Sequence, residues 1–127
     1  MELPPAPNSF FASDTFSGAH PRYIDAIARA NDGHVMAYGG DALTKQATSL
    51  FEELCDEEID VLFTFNGTGS NVVALASLLK PADSVICTNW AHINVDETGA
   101  PERFLGVKLQ DVDAANGKLT PENITDL

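Results

Sequence analysis

Residues 66–71, Asn-Gly-Thr-Gly-Ser-Asn, have the composition of a phosphate-binding turn. They follow a short apolar run and precede residues 72–79, in which apolar side chains recur at helical spacing. The first turn of a helix presents unpaired N–H groups to anions, and Gly67 and Gly69 let a ligand approach the main chain closely. The alternative is that these glycines only turn the chain between a strand and a helix.

Neither of the two common nucleotide-binding motifs fits this turn. A dinucleotide fingerprint needs a third glycine where Val72 stands, and a P-loop needs Gly-Lys followed by Ser or Thr. The sequence therefore predicts a site for a smaller phosphorylated cofactor.

His92 is the second candidate for chemistry. It lies in the segment 89–97, directly after a buried strand predicted at residues 84–88. Ligands of open α/β sheets bind outside the carboxyl ends of the strands, so His92 and the glycine-rich turn should share one edge of the sheet. An imidazole there could act as an acid or base, although capping or packing is the alternative role.

The composition predicts one acidic globular domain. The 127 residues include 7 basic and 19 acidic side chains, a net charge of −12, which disfavours binding to nucleic acid or anionic membranes. No apolar run has the length of a membrane span and the N-terminus lacks a signal sequence, so we expect a cytoplasmic protein.

The cysteines and histidines do not predict a metal site or a disulfide. Cys55 and Cys87 lie in separate apolar contexts, which favours two buried free thiols. The three histidines are too scattered to propose metal ligands.

Several elements must position these residues. We expect an N-terminal arm over residues 1–12 and a helix that begins at His20-Pro21 and ends at residues 31–33. Asp41 is placed to cap the next helix, and Thr120-Pro121 to open the last one.

Three strands are expected around the candidate site. Residues 60–65 and 84–88 predict two parallel strands that enclose the helix at 72–79 in a right-handed βαβ unit. Residues 104–109 predict a third strand, centred on residues 107–109.

The order and spacing of four motifs resemble the threonine aldolases, pyridoxal-phosphate-dependent enzymes of fold type I. The motifs are Ser13-Asp14-Thr15, Tyr38-Gly39-Gly40-Asp41, residues 66–71, and Ala91-His92-Ile93 followed by Glu97. The resemblance implies an α/β fold with a parallel or mostly parallel sheet flanked by helices. It also implies that residues 13–127 form the truncated N-terminal part of the large, cofactor-binding domain.

The resemblance assigns cofactor-binding roles that the residues alone could not name. The residues that would bind pyridoxal phosphate are Gly67, Thr68, Gly69, Asn71 and His92. His92 would stack on the pyridine ring and, as the catalytic residue, help to take the proton of the substrate hydroxyl.

Ser13, Tyr38 and Glu97 are assigned to the substrate by the same resemblance. Ser13 would contact the amino-acid carboxylate, although a local capping role is the alternative. The loop of Tyr38 would line a neighbouring subunit's site in a homodimer or homotetramer, although Tyr38 could instead anchor its own loop.

Two departures and one omission qualify the resemblance. Asn66 replaces a small residue and Asp96 a tyrosine found in many relatives. The family's Schiff-base lysine, pyridine-binding aspartate and carboxylate-binding arginine would all follow residue 127, and no lysine here matches that lysine's context.

We therefore expect a fragment, inactive alone, of a lyase that cleaves threonine or a related β-hydroxy-α-amino acid to glycine and an aldehyde. A β-eliminating lyase or an aminotransferase of the same fold is one alternative. A non-enzymatic phosphate-binding or interaction module is the other.

Overall fold

The computed structural model describes residues 5, 8, 11, 13–125 and 127. Most of the predicted arm at residues 1–12 therefore lies outside the described residues. The chain divides into two compact units, Met1–Ile59 and Asp60–Leu127, and each is described by itself. No helix in the described ranges combines the length and apolar character needed to cross a membrane.

The first unit contains a short 3-10 helix, Asp14–Phe16, and two α-helices, α1 (Pro21–Ala30) and α2 (Ala42–Cys55). Both predicted helix starts are confirmed. The His20 side chain accepts a hydrogen bond from the Arg22 amide at 3.2 Å, and Asp41 Oδ1 accepts one from the Thr44 amide at 2.8 Å. Hydrogen bonds from the Thr44 side chain and amide lower the pKa of Asp41, which favours the charged cap.

The second unit is organised around a parallel pair of strands, β1 (Ser84–Thr88) and β2 (Lys108–Val112), in register from Ser84 opposite Lys108. Helix α3 (Gly67–Leu78) precedes β1, and α6 (Pro121–Thr125) comes last. Two short helices, α4 (His92–Val95) and α5 (Ala100–Leu105), connect the strands. The most buried apolar residues, Cys87, Ala100, Pro101 and Val107, lie where β1, α5 and the start of β2 meet.

The predicted strand at residues 60–65 is wrong. These residues run without strand pairing, and Leu62, Phe63 and Phe65 are 71%, 58% and 102% exposed. A strand is stabilised by backbone hydrogen bonds to a neighbouring strand and by burial of its side chains, and no strand in the described part of the chain pairs with residues 60–65. The parallel pairing is therefore between β1 and β2, instead of between residues 60–65 and β1.

The third strand begins later than predicted. Phe104 and Leu105 complete α5, which ends where Gly106 adopts a left-handed φ of 67° and its amide bonds the Glu102 carbonyl. The strand consequently spans Lys108–Val112 instead of residues 104–109.

Only part of the prediction for the cysteines is confirmed. Both thiols are free and Cys87 is buried, but Cys55, the last residue of α2, is exposed. Burial, reinforced by the charges of Asp111 and Glu102, raises the pKa of the Cys87 thiol, so it stays protonated near neutral pH.

Candidate active site

The first turn of α3 presents two backbone amides that are available to an anion. Asn66 caps this helix, because its Oδ1 accepts a hydrogen bond from the Gly69 amide at 2.9 Å and its carbonyl accepts one from the Ser70 amide at 3.1 Å. Within the described residues the Gly67 and Thr68 amides donate to no protein acceptor. An anion at this helix end would therefore meet the amides of Gly67 and Thr68, whereas that of Gly69 is already engaged.

The surroundings of the two glycines also indicate that an anion would approach the turn at Gly67. A Cβ built on Gly67 meets nothing within 4 Å, whereas one on Gly69 would lie 3.3 Å from Asn66 Oδ1 and 3.6 Å from Thr64 Cβ. The turn is thus open at Gly67 and closed at Gly69.

Two hydroxyl groups stabilise the turn through its Asn66 carbonyl. Thr64 Oγ1 and Ser70 Oγ lie 2.5 Å apart, and they lie 3.3 Å and 3.2 Å from the Asn66 carbonyl oxygen. Since each hydroxyl has one hydrogen, one of them donates to the other hydroxyl and the other donates to the carbonyl. The Ser70 hydroxyl is thus engaged in hydrogen bonds within the turn. It stabilises the loop from which the free amides emerge.

His92, the first residue of α4, is joined to α3 through Glu97. Its Nδ1 lies 2.8 Å from Glu97 Oε1, and the same oxygen accepts a hydrogen bond from Asn71 Nδ2 at 2.5 Å. Asn71 follows Gly67 by four residues, so it lies on the same face of α3 one turn later. Glu97 therefore links His92 to the helix that begins with the glycine-rich turn. The link is made by side chains, because the strand at residues 60–65 on which the predicted shared edge depended is not formed.

The exposure of the two partners is opposite. The His92 side chain is 66% exposed, whereas that of Glu97 is 0% exposed. Glu97 is buried where α4 ends and α5 begins, and the Ala100 amide donates to its carbonyl at 2.9 Å. In the described residues the imidazole is therefore exposed and the Glu97 carboxylate is covered, and the substrate contact predicted for Glu97 stays a prediction.

The substrate residues predicted in the first unit have local interactions. Ser13 Oγ lies 2.8 Å from Thr15 Oγ1 and accepts a hydrogen bond from the Thr15 amide at 3.3 Å, which is the capping geometry that the sequence left open. Tyr38 is fully exposed, with a left-handed φ of 58°, beside Gly39 at 77°. Its ring therefore does not anchor its own loop.

Sequence reasoning missed two features of this site. Asparagine is among the best N-cap residues, so Asn66 could have been recognised as the cap of α3. The bond between Asn71 and Glu97 joins residues 26 positions apart, and no local pattern signals it.

The described residues fit the phosphate and ring of a pyridoxal phosphate group. The open turn supplies two amides at the positive end of a 12-residue helix, and an exposed imidazole stands next to that helix. No group of three or more His, Cys, Asp or Glu side chains in this part of the chain could hold a metal ion.

A sequence profile described as beta-eliminating lyase matches residues 11–127. The chain belongs to the beta-eliminating lyase family. The chain is 47% identical over 118 residues to a low-specificity L-threonine aldolase of Pseudomonas aeruginosa, covering 92% of this chain and 34% of that protein. A low-specificity L-threonine aldolase from another Pseudomonas is 45% identical over the same length.

The structure also resembles a threonine aldolase. A solved structure of the Leishmania major threonine aldolase matches with a TM-score of 0.78 and 35% identity, covering 87% of this chain and 32% of that one. The predicted resemblance and α/β fold class are therefore confirmed. The chain spans about a third of the length of the relatives that it matches.

Proposed function

We propose that this chain is part of a pyridoxal-phosphate-dependent lyase that cleaves threonine, or a related β-hydroxy-α-amino acid, to glycine and an aldehyde. The observation that carries the proposal is the exposed imidazole of His92, held through Glu97 to the helix whose first turn has two free amides. The similarity to two low-specificity L-threonine aldolases supports the choice of substrate.

The residues of this chain would bind and orient the reactants. The Gly67 and Thr68 amides would hold the cofactor phosphate, assisted by the dipole of α3. Asn71 would support that site from the next turn, and His92 would hold the cofactor ring. The cofactor supplies an electron sink for the pair left on Cα when the Cα–Cβ bond breaks.

His92 would also handle the proton of the reaction. As the Cα–Cβ bond breaks, the substrate hydroxyl becomes the carbonyl of the aldehyde and must lose its proton. Nε2 is the ring nitrogen that does not face Glu97, so it is available to accept that proton. Glu97 then lies against a positively charged ring.

Product analysis tests this function and separates it from β-elimination, which the family description favours as the second candidate. The protein expressed from its complete gene is incubated with threonine and pyridoxal phosphate. We expect glycine and acetaldehyde in equal amounts. Ammonia and 2-oxobutanoate would establish β-elimination, and no turnover would leave a phosphate-binding module.

We also propose that Ser13 binds the substrate carboxylate and that Tyr38 completes the site of a neighbouring subunit in a homo-oligomer. The full exposure of Tyr38 in a glycine-containing loop supports this role. Subunit mixing tests it, because a Tyr38→Ala subunit and a His92→Ala subunit would together form one site that carries neither change.

We expect mixed oligomers of the two variants to regain up to about a quarter of wild-type turnover in a dimer formed at random. Each variant refolded alone is the control. Mixtures no more active than the separate variants would place Tyr38 outside a neighbour's site.

A further inference from the structure

The hydrogen bonds of Glu97 bear on which nitrogen of the His92 ring carries a hydrogen. Asn71 Nδ2 has hydrogens to donate and no lone pair to offer, so Glu97 Oε1 is the acceptor of that bond. The same oxygen lies 2.8 Å from His92 Nδ1. An ionised carboxylate only accepts, so Nδ1 is the donor and a neutral ring has its lone pair on Nε2.

The surroundings leave Glu97 few other partners. Its contact with His92 is the one salt-bridge-type contact found in the described part of the chain, and no lysine or arginine joins it there. Its second oxygen, Oε2, is buried and has no hydrogen-bond donor there. A buried carboxylate with an unpaired oxygen costs stability, so stability alone does not account for its presence.

We propose that Glu97 is a positioning residue that holds His92 in the tautomer protonated on Nδ1, so that Nε2 faces the substrate hydroxyl as a base. Its consequence for catalysis rests on the proposed function, whereas the tautomer itself does not. The hydrogen bond from Asn71 attaches Glu97 to α3. His92 is thereby held in a fixed position relative to the amides of Gly67 and Thr68 at the start of that helix.

Nuclear magnetic resonance of histidine-labelled protein tests the tautomer directly. The nitrogen signals of His92 are measured at alkaline pH and assigned by their absence from the spectrum of the His92→Phe protein. We expect a protonated Nδ1 and an unprotonated Nε2. A ring protonated on Nε2 in the wild-type protein would overturn the proposal whether or not any variant folds.

Two substitutions of Glu97 separate the effect of its hydrogen-bond acceptor from the effect of its size. Glu97→Met removes both oxygens at similar length, and we expect a mixture of the two tautomers. Glu97→Gln keeps a carbonyl oxygen that can accept from Nδ1, and we expect the wild-type tautomer. Glu102→Met, at an exposed glutamate of α5, is the matched control and should change neither signal.

Kinetics with threonine then test the consequence for catalysis. We expect Glu97→Met to lower kcat about 10- to 100-fold, a part of what a general base contributes, while KM changes less than about threefold. Glu97→Gln should recover part of that loss. Wild-type kcat in Glu97→Met, or equal losses in the Met and Gln variants, would overturn the positioning role.

The two kinds of measurement separate the two proposals. If the wild-type protein does not cleave threonine, the proposed function fails while the nitrogen signals still decide the tautomer. If threonine is cleaved but the His92 ring carries its hydrogen on Nε2, only the positioning role of Glu97 fails.

Discussion

Replacing His92 with phenylalanine is expected to remove most glycine formation from threonine and to leave most of the bound cofactor. Phenylalanine keeps an aromatic face to hold the cofactor ring but has neither nitrogen. A positioned general base contributes about 10²- to 10⁴-fold to a rate, so we expect kcat to fall by a factor in that range. Glycine is measured by amino-acid analysis, and bound cofactor by its absorbance.

The stability of this variant must be measured with its activity. Without His92, Glu97 keeps Asn71 as its only donor among the side chains described here, and losing a partner of a buried polar group costs about 1–3 kcal/mol. Activity is therefore compared at equal folded protein. His34→Phe, at an exposed position of the first unit, is the matched control. Full activity of the His92→Phe protein would refute the proposal that His92 is the general base.

Replacing Gly67 with proline is expected to weaken the binding of pyridoxal phosphate without disrupting α3. Proline lacks the N–H and suits the first position of a helix, and Asn66 before it already has an extended backbone, with φ −154° and ψ 176°. A hydrogen bond to a charged group contributes about 1.5–3 kcal/mol, which corresponds to a rise in Kd of about 10- to 100-fold.

Gly67→Ala is the matched control, because it keeps the N–H and its Cβ meets nothing within 4 Å. Calorimetric titration of the cofactor-free protein gives both dissociation constants. Binding of pyridoxal, which has no phosphate, should respond equally to the two changes. An alanine variant as weak as the proline variant would show that crowding, and not the lost amide, matters at this position.

The helices of this chain could be predicted because their signals are local. Asp41 is followed three residues later by the Thr44 amide that it caps, and Pro21 stands at the first position of α1. The glycine-rich turn at residues 66–71 is local in the same sense, since Asn66 and the amides of Gly67 and Thr68 belong to one turn of α3.

The strands could be predicted less well because pairing is not local. Residues 60–65 have the composition of a strand, but a strand exists only where another one pairs with it, and sequence does not reveal the partner. Strand β2 starts later than the apolar pattern of residues 104–109 suggests, because α5 continues to Leu105 and ends at Gly106.

The internal contacts of the candidate site were not predicted from the sequence. The predicted shared edge depended on a strand at residues 60–65 that is not formed, and the link between His92 and α3 is instead a buried carboxylate 26 positions from Asn71. Burial of Glu97 could not be read from the sequence, because a glutamate is among the residues least often buried without a partner.

Cofactor removal and return test the central claim most directly. The protein expressed from its complete gene is freed of cofactor, and glycine formation from threonine is measured after adding pyridoxal phosphate, pyridoxal, or pyridoxal with inorganic phosphate. We predict that only pyridoxal phosphate restores full turnover, because in the proposed site the amides of Gly67 and Thr68 would anchor the cofactor through its covalently attached phosphate. Full turnover without added cofactor, or full turnover with pyridoxal alone, would contradict a lyase that binds its cofactor at the first turn of α3.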